Sequence, residues 1–171
     1  IPANNPPMGL MYLASYLRRL DPDRNIRIID MALEELTPDN LLLILKEFQP
    51  DICGISCLTM NAKNSFIISE LIKKWNKNCY VILGGPHPTF MPDKVLESHS
   101  IDFCVMGEGE KTAHLLISAL ENNEPYESIE GIGYRTGDSI ALNNRPSALD
   151  ITCLPWPAYD LIPVKKYFKS K

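Results

Sequence analysis

Three short stretches carry residue types able to do chemistry, and each falls where an apolar run stops. They are Ser56-Cys57-Leu58-Thr59-Met60-Asn61, Gly84-Gly85-Pro86-His87-Pro88 and Gly107-Glu108-Gly109-Glu110-Lys111-Thr112. In the first, hydroxyls just ahead of a helix suit the polar edge of a ligand. Thr59 or Asn61 would equally serve as a plain helix cap. In the second, paired glycines either let a backbone approach a bulky ligand closely or supply a positive φ for a turn. His87, between two prolines, is rigidly held, and a structural or solvated role stands beside a ligand role. The third stretch fails as a phosphate loop, because Glu110 stands where Gly must precede Lys-Thr. It also fails as a dinucleotide fingerprint, because Thr112 stands where the third Gly belongs. Two carboxylates there would repel phosphate. Glu110 suits the positive end of the following helix. Glu108, between two glycines, has less structural reason and is the better candidate for a ligand contact.

These stretches need elements to hold them. Leu10, Leu13, Ala14, Leu17 and Leu20 recur at helical spacing, which predicts a helix from about Met8 to Leu20. Ile26 to Ile29 reads as a short strand closed by Asp30. Thr37-Pro38-Asp39 opens a second helix, with Thr as cap and Pro in the first turn, and its stripe is Leu41, Ile44, Leu45 and Phe48. Ile52 to Ser56 is a nearly continuous apolar strand, as in a buried parallel sheet. A third helix follows over Ala62 to Trp75, with Ile67, Ile68, Leu71 and Trp75 inward. Tyr80 to Leu83 and Ile101 to Met106 read as strands, Pro92 to Ser98 and Glu110 to Leu120 as helices. This alternation means βαβ units and a parallel sheet, whose ligands bind outside the carboxyl ends of the strands. Glu130 to Arg135 and Ser139 to Leu142 flank Thr136-Gly137-Asp138, which predicts a hairpin appended outside that sheet. The tail from Pro155 reads as linker rather than core. A start on a helix is unusual for such a fold, and Ile1-Pro2 would suit the stub of a first strand.

Composition narrows the function. The chain has 171 residues, 45% apolar and 22% charged, which is a globular composition able to build one sizeable core. No apolar run approaches the roughly 18 residues of a membrane span, and the start lacks the basic and apolar regions of a signal peptide. A start at Ile1 rather than Met reads as a piece of a longer chain. A net charge of -4 without a basic stripe disfavours nucleic acid. Five cysteines, four of them in apolar strand-like segments, read as small buried hydrophobes in a reducing cytoplasm. Their spacing gives neither an iron–sulfur nor a zinc motif. A phosphoreceiver domain would need its acceptor Asp at the end of the Ile52 strand, where Ser56 stands.

Taken in order and spacing, these loops resemble one family: the cobalamin-binding domain of cobalamin-dependent radical S-adenosylmethionine (SAM) enzymes. The carriers are Pro6-Pro7-Met8-Gly9-Leu10 with Tyr12-Leu13-Ala14, then Asp30, and Pro50-Asp51-Ile52-Cys53-Gly54-Ile55-Ser56. They continue through Gly84-Gly85-Pro86-His87-Pro88-Thr89, Asp102-Phe103 and Gly107-Glu108-Gly109-Glu110 to Leu154-Pro155-Trp156-Pro157-Ala158-Tyr159-Asp160. The resemblance implies a flavodoxin-like, Rossmann-type doubly wound parallel sheet with a small C-terminal hairpin and linker. It implies a cobalamin-binding domain over 1–125, the hairpin over 126–150, and a linker over 151–171 toward a radical SAM barrel of the same polypeptide. That barrel would hold a [4Fe-4S] cluster and SAM, neither bound by this chain. The wider class carries D-x-H-x-x-G, S-x-L and G-G around a slot for the nucleotide tail of cobalamin. Ser56-Cys57-Leu58 matches the second and Gly84-Gly85 the third. The first departs: Asp30 fits, but Ala32 replaces His and Glu35 replaces Gly. The implied cofactor is therefore base-off cobalamin without a His ligand from that motif. The implied binding residues are Asp30, Ser56, Leu58, Thr59, Gly84, Gly85, Pro86, His87, Gly107, Glu108 and Gly109. The general look is nearest to the anaerobic magnesium-protoporphyrin monomethyl ester cyclases of tetrapyrrole biosynthesis, with methyltransferases as the other branch. A degenerate scaffold domain without cobalamin, and a flavin- or nucleotide-binding flavodoxin-like module, stand as alternatives.

Overall fold

A computed structural model describes residues 5–168; Ile1-Pro2 lies outside them. The chain divides into two compact units, one of residues 42–149 and one of residues 1–41 with 150–171.

The 42–149 unit carries the sheet. Its strands are β1 (Ile52–Ser56), β2 (Tyr80–Gly84), β3 (Phe103–Val105), β4 (Ile132–Thr136) and β5 (Ser139–Leu142), hydrogen-bonded in that order. β1, β2 and β3 are parallel, with Ile52 opposite Tyr80, Ser56 opposite Gly84 and Ile82 opposite Phe103. The Glu130–Leu142 hairpin is not appended outside the sheet. β4 pairs antiparallel with β3, setting Phe103 opposite Tyr134 and Val105 opposite Ile132, and β5 closes the edge. The reason is burial. All three residues of β3 are buried, and an unpaired β3 would leave a row of backbone groups without partners.

Helices cover both faces. α6 (Gly109–Asn122) lies on one, where Leu116 packs with Ile82, Phe103, Val105, Ile132 and Tyr134. The crossovers α3 (Ala62–Trp75), α4 (Pro86–Phe90) and α5 (Pro92–Leu96) take the other, as right-handed βαβ connections require. Two expectations change here. Pro86-His87-Pro88, read as loop, is the first turn of α4 with Gly85 as its N-cap; proline is tolerated there because that N–H has no helical partner. The buried stripe of α3 is Ala62, Ser65, Ser69 and Ile72, while Ile67 is exposed. Small residues let that helix sit close on the sheet.

The other unit joins the two ends of the chain. It holds α1 (Met8–Leu20) and α7 (Val164–Tyr167), and α2 (Pro38–Phe48) starts in it. Met11, Ile162 and Tyr167 form its core, with Ile28, Leu33 and Val164 against them. The tail read as linker thus contributes buried residues. The buried stripe of α1 is Met11, Ala14 and Leu17, and Leu20 is largely exposed. Ile26–Ile29 forms no strand. Its β propensity favours an extended backbone, but a strand also needs a neighbour to ladder with. Among the described residues no helix is long and apolar enough to cross a membrane.

Candidate functional site

The loops singled out from the sequence meet at the carboxyl end of β1, β2 and β3. Side chains alternate across a strand. Ile52 and Ile82 face α6, so Gly54 and Ser56 of β1 and Gly84 of β2 face the same way. Gly54 and Ser56 are exposed. A Cβ built on Gly54 or Gly84 meets no atom within 4 Å. The strip Gly54–Ser56–Gly84 is therefore a floor without side-chain bulk beside the N-terminus of α6. Gly54 is not among the site residues expected from the sequence; its parity with Ser56 on β1 is the signal that finds it.

The two adjacent glycines do different things. Gly85 has φ 98, and a Cβ there would lie 3.1 Å from the carbonyl oxygen and 3.3 Å from the nitrogen of Cys57. It is needed for its backbone angle and for close packing of two loops. Gly84 is the one that opens space. Around Gly85 the loops are tied together. Cys57 N donates to the Gly84 carbonyl at 2.8 Å, and His87 N donates to the Cys57 carbonyl at 3.0 Å. The Thr89 hydroxyl donates to the Gly85 carbonyl at 2.8 Å and accepts from Gly107 N at 2.9 Å. Thr89 thus locks the second loop to the third; sequence reasoning had given it no site role.

Thr59 is exposed on the short turn Thr59–Asn61, and Leu58, at its N-cap, is exposed too. Asn61 does not use its side chain to cap α3; its Oδ1 accepts from Leu58 N at 2.8 Å. His87 is buried, with Nδ1 3.3 Å from the Thr59 hydroxyl and its ring edge-on to Phe66 of α3. Its imidazole packs inside the loop cluster. Pro86 opens α4. Gly107 has φ 80, and Glu108 caps α6 with its side chain exposed. Glu110, two residues further in, is the buried carboxylate of the pair. Burial pushes its acidity toward the protonated form.

Asp30 belongs to the other unit. Its carboxylate accepts from Leu33 N at 3.0 Å and from the Tyr167 hydroxyl at 2.8 Å. Burial first, and then this hydrogen bond, push the Tyr167 hydroxyl well above its usual range. That unit also has a shallow depression of about 360 Å³ lined by Arg18, Arg19, Trp156 and Asp160. Its guanidiniums are engaged, Arg18 with Asp160 at 2.7 Å and Arg19 with the Cys153 carbonyl.

The floor and its rim fit a bulky group with polar edges. Two glycines leave room that side chains would fill, Ser56 offers a hydroxyl, and the first turn of α6 carries a buried carboxylate. Comparison with known proteins identifies the family. A methyltransferase of Pyrococcus horikoshii, uncharacterized in its activity, is 37% identical over 164 residues, covering 95% of this chain and 35% of its own length. The anaerobic magnesium-protoporphyrin IX monomethyl ester cyclase of Rubrivivax gelatinosus is 28% identical over 179 residues, covering 97% of this chain and 32% of its own. The chain thus spans about a third of the length of these curated relatives. The cobalamin-dependent SAM radical enzyme OxsB, solved with aqua-cobalamin and SAM bound, superposes with a TM-score of 0.81 and 26% identity over 95% of this chain and 22% of that one. The model of the B12 binding domain family matches residues 1–117. With three parallel strands at the head of its sheet and a family-model match over residues 1–117, this chain belongs to the B12-binding domain family.

Proposed function

We propose that the chain is the cobalamin-binding module of a radical SAM methyltransferase or oxidative cyclase, the cyclase branch lying in tetrapyrrole biosynthesis. The observation that carries this reading is the floor Gly54–Ser56–Gly84, where no side chain fills the space above two glycines. Cobalamin, when bound, supplies cobalt-centred transfer of a methyl group or an electron. The chain's own part is binding and orientation. Gly54 and Gly84 leave room for the planar base of the nucleotide tail, and the Ser56 hydroxyl offers a hydrogen bond to its edge. Leu58 and Thr59 form the rim, and Gly107, Glu108 and Gly109 form the opposite wall. Gly85, Pro86 and His87 hold the wall loops in place. A radical SAM barrel of the same polypeptide, carrying the [4Fe-4S] cluster and SAM, completes the enzyme in the cytoplasm.

The module binds cobalamin base-off without an imidazole from the chain. Ala32 stands at the His position of the family motif and its methyl cannot ligate. His99 is exposed in the turn after α5, at the amino end of β3, and His87 packs against Thr59 and Phe66. The test is titration with hydroxocobalamin followed by optical and electron paramagnetic resonance spectra. Stoichiometric binding without axial-nitrogen superhyperfine splitting is expected. No uptake of cobalamin would leave the scaffold or flavodoxin-like alternatives. Gly84→Val should abolish binding with the thermal midpoint nearly unchanged, since its side chain enters open space. Gly85→Val is a poorer probe, because its φ and the Cys57 backbone disturb the fold first.

A further inference from the structure

We propose that Glu110 is the acceptor for an uncharged hydrogen-bond donor of the bound cofactor, a hydroxyl or a primary amide, and that with Glu108 it keeps phosphate off the first turn of α6. The inference rests on the cobalamin reading and deepens it. Glu110 lies on the inward stripe of α6 with Ala113, Leu116 and Leu120, not on the solvent side. The residue is 8% exposed. Its carboxyl takes a hydrogen bond from its own backbone N–H, and Oε2 has no partner among the described residues. A buried acceptor without a donor works against the empty fold, so a purely structural Glu is poorly explained here. Serving the start of α6 accounts for only one carboxyl oxygen: the bond from its own first-turn N–H leaves Oε2 unused.

Chemistry selects the donor. The first turn of a helix has free N–H groups and ordinarily attracts phosphate. Here two carboxylates oppose that attraction, one buried and one at the cap. The group that fits an orphaned carboxylate oxygen in the first turn of α6, the helix packed on the Ile52 and Ile82 face of the sheet, carries O–H or N–H and no negative charge. Two parts of cobalamin offer it: the ribose hydroxyl of the nucleotide tail and the amide side chains of the corrin ring.

The experiment compares wild type, Glu110→Met and Glu110→Gln, each titrated with hydroxocobalamin and with cobinamide, which lacks the nucleotide tail. Glu110→Met should weaken hydroxocobalamin binding by about tenfold, the loss expected of one charge-assisted hydrogen bond. It should also raise the thermal midpoint of the cofactor-free chain, because the buried unpartnered oxygen is gone. Glu110→Gln keeps the shape and an acceptor oxygen and should lose less. If cobinamide binding is unchanged in Glu110→Met, the donor is the ribose; if it weakens equally, the donor is a corrin amide. Equal hydroxocobalamin affinity in wild type and Glu110→Met overturns the role of Glu110 alone, as does a lowered midpoint with unchanged affinity. A wild-type chain that takes up no cobalamin overturns both readings.

Discussion

Glu35 stands where the wider class of cobalamin domains has glycine, and its backbone shows why: φ is 50, in the left-handed region. The turn it closes is fixed by Glu34 N donating to the Asp30 carbonyl at 2.9 Å and Leu36 N to the Met31 carbonyl at 2.9 Å. Glu35 thus holds a conformation that glycine adopts without a Cβ penalty. An L residue is penalised there by about 1–2 kcal/mol, and the extra unfolded-state freedom of glycine offsets roughly half. Glu35→Gly should stabilise the chain by up to about 1 kcal/mol, read as a higher urea midpoint at constant m-value. A lower midpoint would mean that the Glu35 side chain has a role of its own. Gly84 and Gly85 teach the same lesson. Adjacent and alike in sequence, one is needed for empty space and the other for a backbone angle.

Among the elements, β4 shows how tightly the added hairpin is built in. A Cβ on Gly133 would lie 2.7 Å from both Cys104 Sγ and Leu142 Cδ2, and 3.0 Å from Leu96 Cδ1. α5, β3 and β5 all converge on that point, so the sheet has no slack for a methyl group. Gly133→Ala should cost about 1–3 kcal/mol through overpacking, seen as a lowered thermal midpoint. A midpoint equal to wild type would show that Cys104 and Leu96 move aside freely. On the opposite face the same strands carry an aromatic cluster. The Phe103 and Tyr126 ring centroids lie 5.0 Å apart, those of Tyr126 and Tyr134 5.3 Å, both edge-on. These contacts favour pairing the hairpin with β3 over leaving it free.

For the whole molecule, one unit is assembled from the two ends of the chain. Met11, fully buried, shares its core with Ile162 and Tyr167. Ala158 N donates to the Met11 carbonyl at 3.1 Å, and Asp30 holds the Tyr167 hydroxyl at 2.8 Å. Ending the chain after Leu149 should therefore expose Met11 and speed amide hydrogen exchange along α1. Protection of Val81, Leu83 and Cys104 in the sheet should persist, because their contacts lie within the 42–149 unit. Unchanged α1 protection would show that the tail contributes no cover.

The parallel strands at Ile52, Tyr80 and Phe103 and the helices α3 and α5 between them are legible along the chain, whereas α4 reads as a loop. Local periodicity and Pro/Gly punctuation decide the legible elements, and both are written in the sequence. The sequence by itself also brought Ser56, Gly84 and Gly107 to one sheet edge, since strand ends in βαβ units share a side. Only the tertiary structure decided the rest. Whether Ile26–Ile29 ladders, whether the hairpin joins β3 and whether the Pro155 tail is buried depend on partners distant in sequence. So does the choice between two neighbouring carboxylates: Glu108 and Glu110 differ by two positions, but the turn of α6 exposes the first and buries the second.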